Sequence, residues 1–566
     1  MVAGRPGTRR PAPARRPRWR AEQAGGPRAA ARGRGAAVSL LLDALRAVGR
    51  TGLLHPDPPG ALRQWATLTA RHGVSLYSVA AWSAARFPDA PALVEPEGST
   101  TFGELVGQAD LIADALAGWV GPGAAVGLLA RNHATFVATL LACGRLGLRV
   151  VLLNTTFSAQ QTLEVCRTQG LELLVVDDEW LPGLRERGTD LPLWPTSRVG
   201  ALRREEVAGR PVRRGRGSIV ILSSGSTGAP KAVRRSVNPA ELLRTLTSLL
   251  DQLGLRARSP TLLTIPLFHG HGLMTLGLSL AMGAPLHLFA RGTPEAYWRT
   301  LAGEGIEVLV LVPTVLYRLL ETPHPGRAEH LRTIVCGSAP LSGDLATRAL
   351  SRFGPVLYNL YGGSEFGLVS LATPGHLLAA PDSVGSVLPG VQVAIRRPDG
   401  TPAPFGEIGE VVVRGAMVQG EPGSALGTGD LGRLTPSGWL SLAGRRDDLL
   451  IIGGENVAPE AVEARIAELG YVRECAVVGL PSEEYGQALA ALIVLHDGHR
   501  HVTRERVELD LRPLLPRMLR PASITFVEEL PRNALGKLVR RRLKVEGGTE
   551  EGLGAAAGPR GPAGNG

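Results

Sequence analysis

The sequence predicts an α/β protein: a large multi-lobed N-terminal domain of parallel sheets flanked by helices plus a small β-barrel, then a small α+β domain. Three observations predict it. Short β-branched apolar runs alternate with amphipathic stretches through the first two thirds of the chain; strands divided by tight turns take over after about residue 384; and a fresh strand and helix pattern starts near Asp447. Alternating strands and helices imply parallel sheets covered on both faces.

The runs Ala125 to Leu129, Val150 to Leu153, Leu173 to Val176, Ser218 to Leu222, Thr261 to Ile265, Val308 to Val312 and Thr333 to Cys336 read as strands. Amphipathic stretches such as Ala109 to Trp119 and Pro294 to Gly303 read as helices between them. The turns Pro398-Asp399-Gly400 and Pro436-Ser437-Gly438 mark the barrel or sheet that follows. Beyond Asp447, helices are expected over Pro459 to Leu469 and Val507 to Leu514, with strands at Glu474 to Val478, Ala488 to Leu495 and Ser523 to Val527. The expected domains are 38–446 and 447–545, between a disordered tail at 1–37 and another at 546–566.

A formal charge of +11 invites a nucleic-acid reading until it is located. Residues 1–37 hold ten Arg and one Glu, which leaves only +2 for the rest of the chain. The basic excess belongs to a tail and not to a folded face, so no nucleic acid is expected. The plain reading of that tail is a segment with no dedicated role, and weak contact of a polybasic arm with an anionic membrane surface is the sharper one. The four cysteines Cys143, Cys166, Cys336 and Cys475 are scattered without a CxxC pair, which fits a reducing, cytoplasmic setting and argues against structural zinc. Residues 259–290 carry no Asp, Glu, Lys or Arg, yet Pro266, Gly270, Gly272, Gly277, Gly283 and Pro285 break them into strand, loop, short helix and strand. No transmembrane segment is expected.

The most informative stretch runs from Ile219 through Ser223, Ser224, Gly225, Ser226, Thr227 and Gly228 to Lys231. An apolar strand enters a loop of glycines and hydroxylated residues whose N–H groups can surround phosphate oxygens while Lys231 adds charge. Pro230 precedes Lys231, so the GxxxxGK pattern of ordinary NTPases is absent.

In order along the chain follow Gly337-Ser338-Ala339-Pro340-Leu341, Asn359-Leu360-Tyr361-Gly362-Gly363-Ser364-Glu365, Gly406-Glu407-Ile408-Gly409-Glu410, Thr428-Gly429-Asp430, Gly444-Arg445-Arg446-Asp447, Gly453-Gly454-Glu455 and Pro531-Arg532-Asn533-Ala534-Leu535-Gly536-Lys537. Together with the phosphate loop, this series resembles the adenylate-forming superfamily of acyl-CoA synthetases, luciferases and peptide-synthetase adenylation domains. The resemblance spans roughly 75 to 545. It implies ATP, Mg²⁺ and coenzyme A as cofactors, a small-molecule carboxylic acid as substrate, and a mobile C-terminal lid. It implies that Tyr361 stacks on adenine beside Asn359, and that Gly337, Ser338, Ala339, Pro340 and Gly362 line the nucleotide site. Glu365 is implied as the Mg²⁺ ligand, with Ser364 in the place of the commoner Thr. Asp430 is implied as the ribose ligand with Arg445 beside the nucleotide, Asp447 as the hinge, and Gly453 and Gly454 as the passage for pantetheine.

Lys537 is the expected catalytic ammonium of acyl-AMP formation, where two anions must meet. The chain has only three lysines, Lys231, Lys537 and Lys544. A sequence that otherwise writes its cations as Arg thus places Lys at both chemical positions. Phe268-His269-Gly270-His271-Gly272 resembles the aromatic gate of fatty acyl-CoA synthetases, with His269 where amino-acid-activating relatives place Asp. A fatty acid is therefore expected in place of an amino acid, and small residues at Gly270, Gly272 and Gly363 are expected to leave room for its chain. Coenzyme A is the expected acceptor; a carrier protein is the alternative, and a non-catalytic binding protein on the same fold is the alternative of another class.

Overall fold

The computed structural model describes residues 49–53, 58–203, 217–223, 231–232, 239–323, 326–415, 417–418, 424–446, 450–452, 455–457, 459–482, 486–533, 537–540 and 543. Both terminal tails, with the expectations placed on them, lie outside these residues.

Six strands form one sheet. In spatial order they are Leu193–Pro195, Leu173–Val176, Ala125–Leu129 (β1), Arg149–Leu152, Ser218–Ser223 and Lys231–Ala232. All neighbours are parallel except the last pair, in which Ser223 stands opposite Lys231. The helix Ala134–Leu146 (α1) follows β1. It starts where the His133 ring accepts from the Phe136 N–H and stops at Gly147, whose φ of 67° an L side chain resists.

The second sheet has thirteen strands. Its parallel part runs from Pro91–Glu95 through Leu286–His287, Thr261–Leu263 (β2), Val308–Leu311 (β3) and Thr333–Gly337 (β4) to Leu357–Gly363 (β5). Strand β4 sends Val335 into one hydrophobic core and Ile334 and Cys336 into another. That two-sided apolarity is what a parallel strand covered by helices on both faces requires, and it is why the strand was readable as an unbroken apolar run. The helix Pro239–Leu253 (α2) precedes β2 and the helix Gly270–Met282 (α3) follows it.

The strands expected to form a barrel continue this sheet as an antiparallel series, with no ring closure among the described pairings. From β5 the order is Gly367–Ala372 (β6), Ser383–Val387, Trp439–Arg445 (β8), Ala425–Leu434 (β7), Gly409–Gly415 and Val391–Arg396. A last unit holds a hairpin, Leu450–Ile452 with Glu455–Val457, and a sheet of Val472–Ser482, Gly486–Leu495 and Ser523–Phe526. The helices Pro459–Ile466 and Arg504–Leu511 pack on it, and Val462, Ile466, Val477, Ile493, Val507 and Ile524 share its own core. Among the described residues no helix is long and apolar enough to cross a membrane.

Candidate active site

The C-terminal ends of β4 and β5 lie side by side, with Gly337 in register with Leu360. A Cβ on Gly337 would stand 2.7 Å from the Leu360 carbonyl oxygen, so the strands can close to this distance only around glycine. The next residue, Ser338, has a φ of 68°, a left-handed conformation that costs an ordinary residue about 1–2 kcal/mol. The strain turns its Oγ to within 3.2 Å of His271 Nδ1 at the start of α3. Ala339 is half-buried, and Pro340 caps the turn at the surface.

Tyr361 points from β5 toward β7, where its hydroxyl donates to Asp430 Oδ2 at 2.6 Å. Burial, then the Asp430 charge, pushes the phenol above its ordinary range and keeps it a donor. Asp430 pairs in register with Arg445 on β8, and the guanidinium donates to Oδ1 at 3.1 Å. Gly429 lets that guanidinium lie close, since a Cβ there would meet it at 3.1 Å. Asn359 is buried, with Nδ2 donating to the Ser383 carbonyl at 3.3 Å. Gly362 sits at a register shift of β5 against β6, where a Cβ would meet the Gly367 carbonyl oxygen at 2.5 Å. Ser364 and Glu365 follow, both half-buried.

Lys537 reaches this group from the last described segment of the chain. Its carbonyl accepts from the Asn533 N–H at 2.8 Å and its N–H donates to Asn533 Oδ1 at 2.9 Å, which pairs the two residues. Three residues on, Arg540 is held to its own unit through Glu463, Glu460 and the Val477 carbonyl. The Lys537 side chain keeps solvent contact. Enough protein nonetheless surrounds it for desolvation to lead a lowering of its ammonium below the ordinary lysine range; the Asp430 and Glu365 charges oppose that and Arg445 adds to it. The same ammonium bears on His269, which burial first and then Lys537 hold down to about 3, so the imidazole is neutral. Residues from five separate segments are thus within one electrostatic neighbourhood: His269, Glu365, Asp430, Arg445 and Lys537.

Some expected site residues lie outside the described ones: Ser224, Gly225, Ser226, Thr227, Gly228, Asp447, Gly453 and Gly454. Ser223 and Lys231 are described as paired strand residues only. Of the glycines expected to make room for a substrate chain, two serve packing instead. A Cβ on Gly272 would meet the Pro266 carbonyl oxygen at 2.4 Å, and one on Gly363 would meet the Phe366 ring at 2.5 Å. A Cβ on Gly270 would make only an ordinary contact, with the Ile221 side chain at 3.8 Å.

Sequence reading missed Asn132. Its buried amide donates to the Ile265 carbonyl at 2.9 Å and accepts from the Leu267 N–H at 2.8 Å. It thereby ties the loop after β1 to the segment that carries Phe268 and His269. A lone Asn after a strand gives no signal of a partner more than a hundred residues away.

The site suits a nucleotide with a divalent cation. Glu365 is half-buried, and one carboxylate fits Mg²⁺ that would take most of its oxygens from phosphates and water.

Comparison with known proteins supplies independent findings. The family model of the AMP-binding enzyme matches residues 80–420, and that of the AMP-binding enzyme C-terminal domain matches residues 461–537. The 2-succinylbenzoate–CoA ligase of Geobacillus kaustophilus is 30% identical over 480 residues, which cover 81% of this chain and 95% of the relative. The sulfoacetate–CoA ligase of Cupriavidus necator is 28% identical, over 83% of this chain and 97% of the relative. Among solved structures, the o-succinylbenzoate CoA synthetase of Bacillus subtilis in complex with its acyl-adenylate intermediate superposes with a TM-score of 0.73 at 26% identity, covering 84% of this chain and 99% of that one.

Proposed function

This chain belongs to the AMP-binding enzyme family, and from that premise we propose that it activates a linear, largely apolar carboxylic acid and transfers the acyl group to coenzyme A. In the first step a carboxylate oxygen attacks the α-phosphorus of ATP, the bond to the β-phosphate oxygen breaks, and pyrophosphate leaves. In the second, the thiolate of coenzyme A attacks the acyl carbon of the acyl adenylate and AMP leaves. Glu365 would hold Mg²⁺, which would supply positive charge against the phosphates.

The observation that carries this reading is the meeting of Lys537 with Glu365, Asp430 and Arg445 in one electrostatic neighbourhood. An ammonium in that place offsets the charge that develops when carboxylate and phosphate approach each other. Asp430, fixed from both sides by Tyr361 and Arg445, presents a preset acceptor for a sugar hydroxyl. The Asn533 hydrogen bonds and the Arg540 anchor tie Lys537 to the C-terminal unit, so the lid, 447–545, can bring it in and take it away. Such a lid separates the two half-reactions in time.

The apolar character of the acid rests on a cavity beneath the site. It runs along α3 at helical spacing, past Met274, Leu278 and Met282, against Leu253, Val310 and Leu360. From His271 to Met282 that helix face is about 16 Å long. Coenzyme A as acceptor is supported by both ligases named above, whose names carry it.

Pyrophosphate release across acids from acetate to palmitate plus benzoate, with and without coenzyme A, tests the reading. Release with aliphatic acids, and thioester only when coenzyme A is present, is expected. No release with any acid would overturn it.

A further inference from the structure

We propose that Asp177 is a positioning residue of acid activation: it fixes residues 131–133 so that Asn132 can hold the segment that carries Phe268 and His269. This goes beyond the acid-activation reading above and rests on it.

Asp177 follows the strand Leu173–Val176, whose parallel neighbour β1 leads into Arg131. Its N–H donates to the Leu129 carbonyl at 3.0 Å, which brings its side chain beside the loop after β1. The residue is buried, and its carboxylate accepts three hydrogen bonds. Oδ2 accepts from the Arg131 N–H at 2.9 Å, while Oδ1 accepts from His133 Nε2 at 2.8 Å and from the Thr196 hydroxyl at 2.7 Å. With Nδ1 of His133 accepting from the Phe136 N–H, the ring proton sits on Nε2 and points at Asp177. Burial opposes the Asp177 charge, but these donors outweigh it and hold the carboxyl below its ordinary range, so it is an anionic acceptor near pH 7. Arg131 is held a second time by Glu179, two residues after Asp177, at 2.5 Å.

The grip falls on both neighbours of Asn132 and leaves Asn132 itself to the other sheet. Its amide bonds to the Ile265 carbonyl and the Leu267 N–H, and Ile265 lies two residues after β2. A line of hydrogen bonds thus joins the C-terminal ends of strands in two sheets: Asp177, residues 131–133, then residues 265–267. Phe268 and His269 come next in the chain. The start of α3 is seated on the same segment, since a Cβ on Gly272 would stand 2.4 Å from the Pro266 carbonyl oxygen. Two hydrogen bonds aimed at fixed backbone atoms hold only while Asn132 keeps its place, and Asp177 sets that place from either side.

The test measures kcat/KM by pyrophosphate release, for the best of the acids from acetate to palmitate and benzoate, and ATP affinity by calorimetric titration. The variants are Asp177→Asn and His133→Asn, each alone and combined with Asn132→Ala. Asparagine at 133 still caps α1 but is too short to reach Asp177, so it opens the same clamp without a change at the carboxylate. Either single change is expected to lower kcat/KM for the acid about 10-fold, the scale of one hydrogen bond to a charged group, and to leave ATP affinity within about two-fold of the parent. In the Asn132→Ala background either change is expected to lower kcat/KM by less than about two-fold, because the group it acts through is already gone. A folded Asp177→Asn or His133→Asn protein with the parental kcat/KM overturns the inference. So does a second full loss on top of Asn132→Ala, or an equal loss of ATP affinity, since each shows Asp177 acting by another route. If Asp177→Asn does not fold, His133→Asn decides alone. A parent that releases pyrophosphate with no acid overturns the acid-activation reading, and this inference with it.

Discussion

The phenol of Tyr361 donates a 2.6 Å hydrogen bond to one carboxylate oxygen of Asp430 while Arg445 donates to the other at 3.1 Å. Strands that are far apart in sequence thus fix one carboxylate from two directions. Tyr361→Phe removes a hydrogen bond to a charged acceptor, and urea unfolding should show a loss of about 1.5–3 kcal/mol. Asp430→Asn keeps the shape but weakens the acceptor, so calorimetric titration should show ATP binding reduced by about 10-fold, or about 1.4 kcal/mol. Unchanged ATP affinity in a folded Asp430→Asn protein would remove this carboxylate from the nucleotide site.

Asn132 stands apart from the chemistry and holds the gate segment by two hydrogen bonds. Asn132→Ala leaves a buried carbonyl and a buried N–H unpaired, at about 1–3 kcal/mol each. Thermal unfolding should therefore shift down by several degrees. Loss of adenylation should accompany it even where the protein is still fully folded, because Phe268 and His269 follow the tethered residues directly. Activity retained per folded molecule would make the bond structural alone.

His269 and His271 are held down to about 3 and about 4 by burial, below the ordinary histidine value near 6.5. Between those limits the unfolded chain binds protons that the folded chain refuses, so stability rises with pH there. This contribution is complete above about pH 6.5 and is lost as pH falls toward the folded values, at no more than about 1.4 kcal/mol per pH unit for each ring. Urea unfolding at pH 7, 6 and 5 should show a steep acid loss that is shallower in His271→Phe. Equal slopes in parent and variant would contradict the burial of a neutral ring.

The α/β architecture was legible because its parallel strands are apolar on both faces. β4, with Ile334 and Cys336 to one core and Val335 to the other, reads as a continuous run in the sequence. The resemblance of the ordered motifs to the adenylate-forming superfamily is what implied that Tyr361, Asp430, Arg445 and Lys537 share one site. Glycine misled where it packs: Gly272 and Gly363 look like room for a substrate, yet each meets a neighbour that a methyl group would strike. Asn132 was illegible for another reason. Its role depends on which distant backbone arrives beside it, and no local pattern encodes that.

The most direct measurement of the central claim separates the half-reactions in Lys537→Ala. Acyl-adenylate formation from acid and ATP should fall by about 100- to 1,000-fold, while thioester formation from supplied acyl adenylate and coenzyme A should stay within a few fold of the parent. Acyl-adenylate formation at the parental rate would contradict the assignment of Lys537 as the ammonium that brings carboxylate and phosphate together.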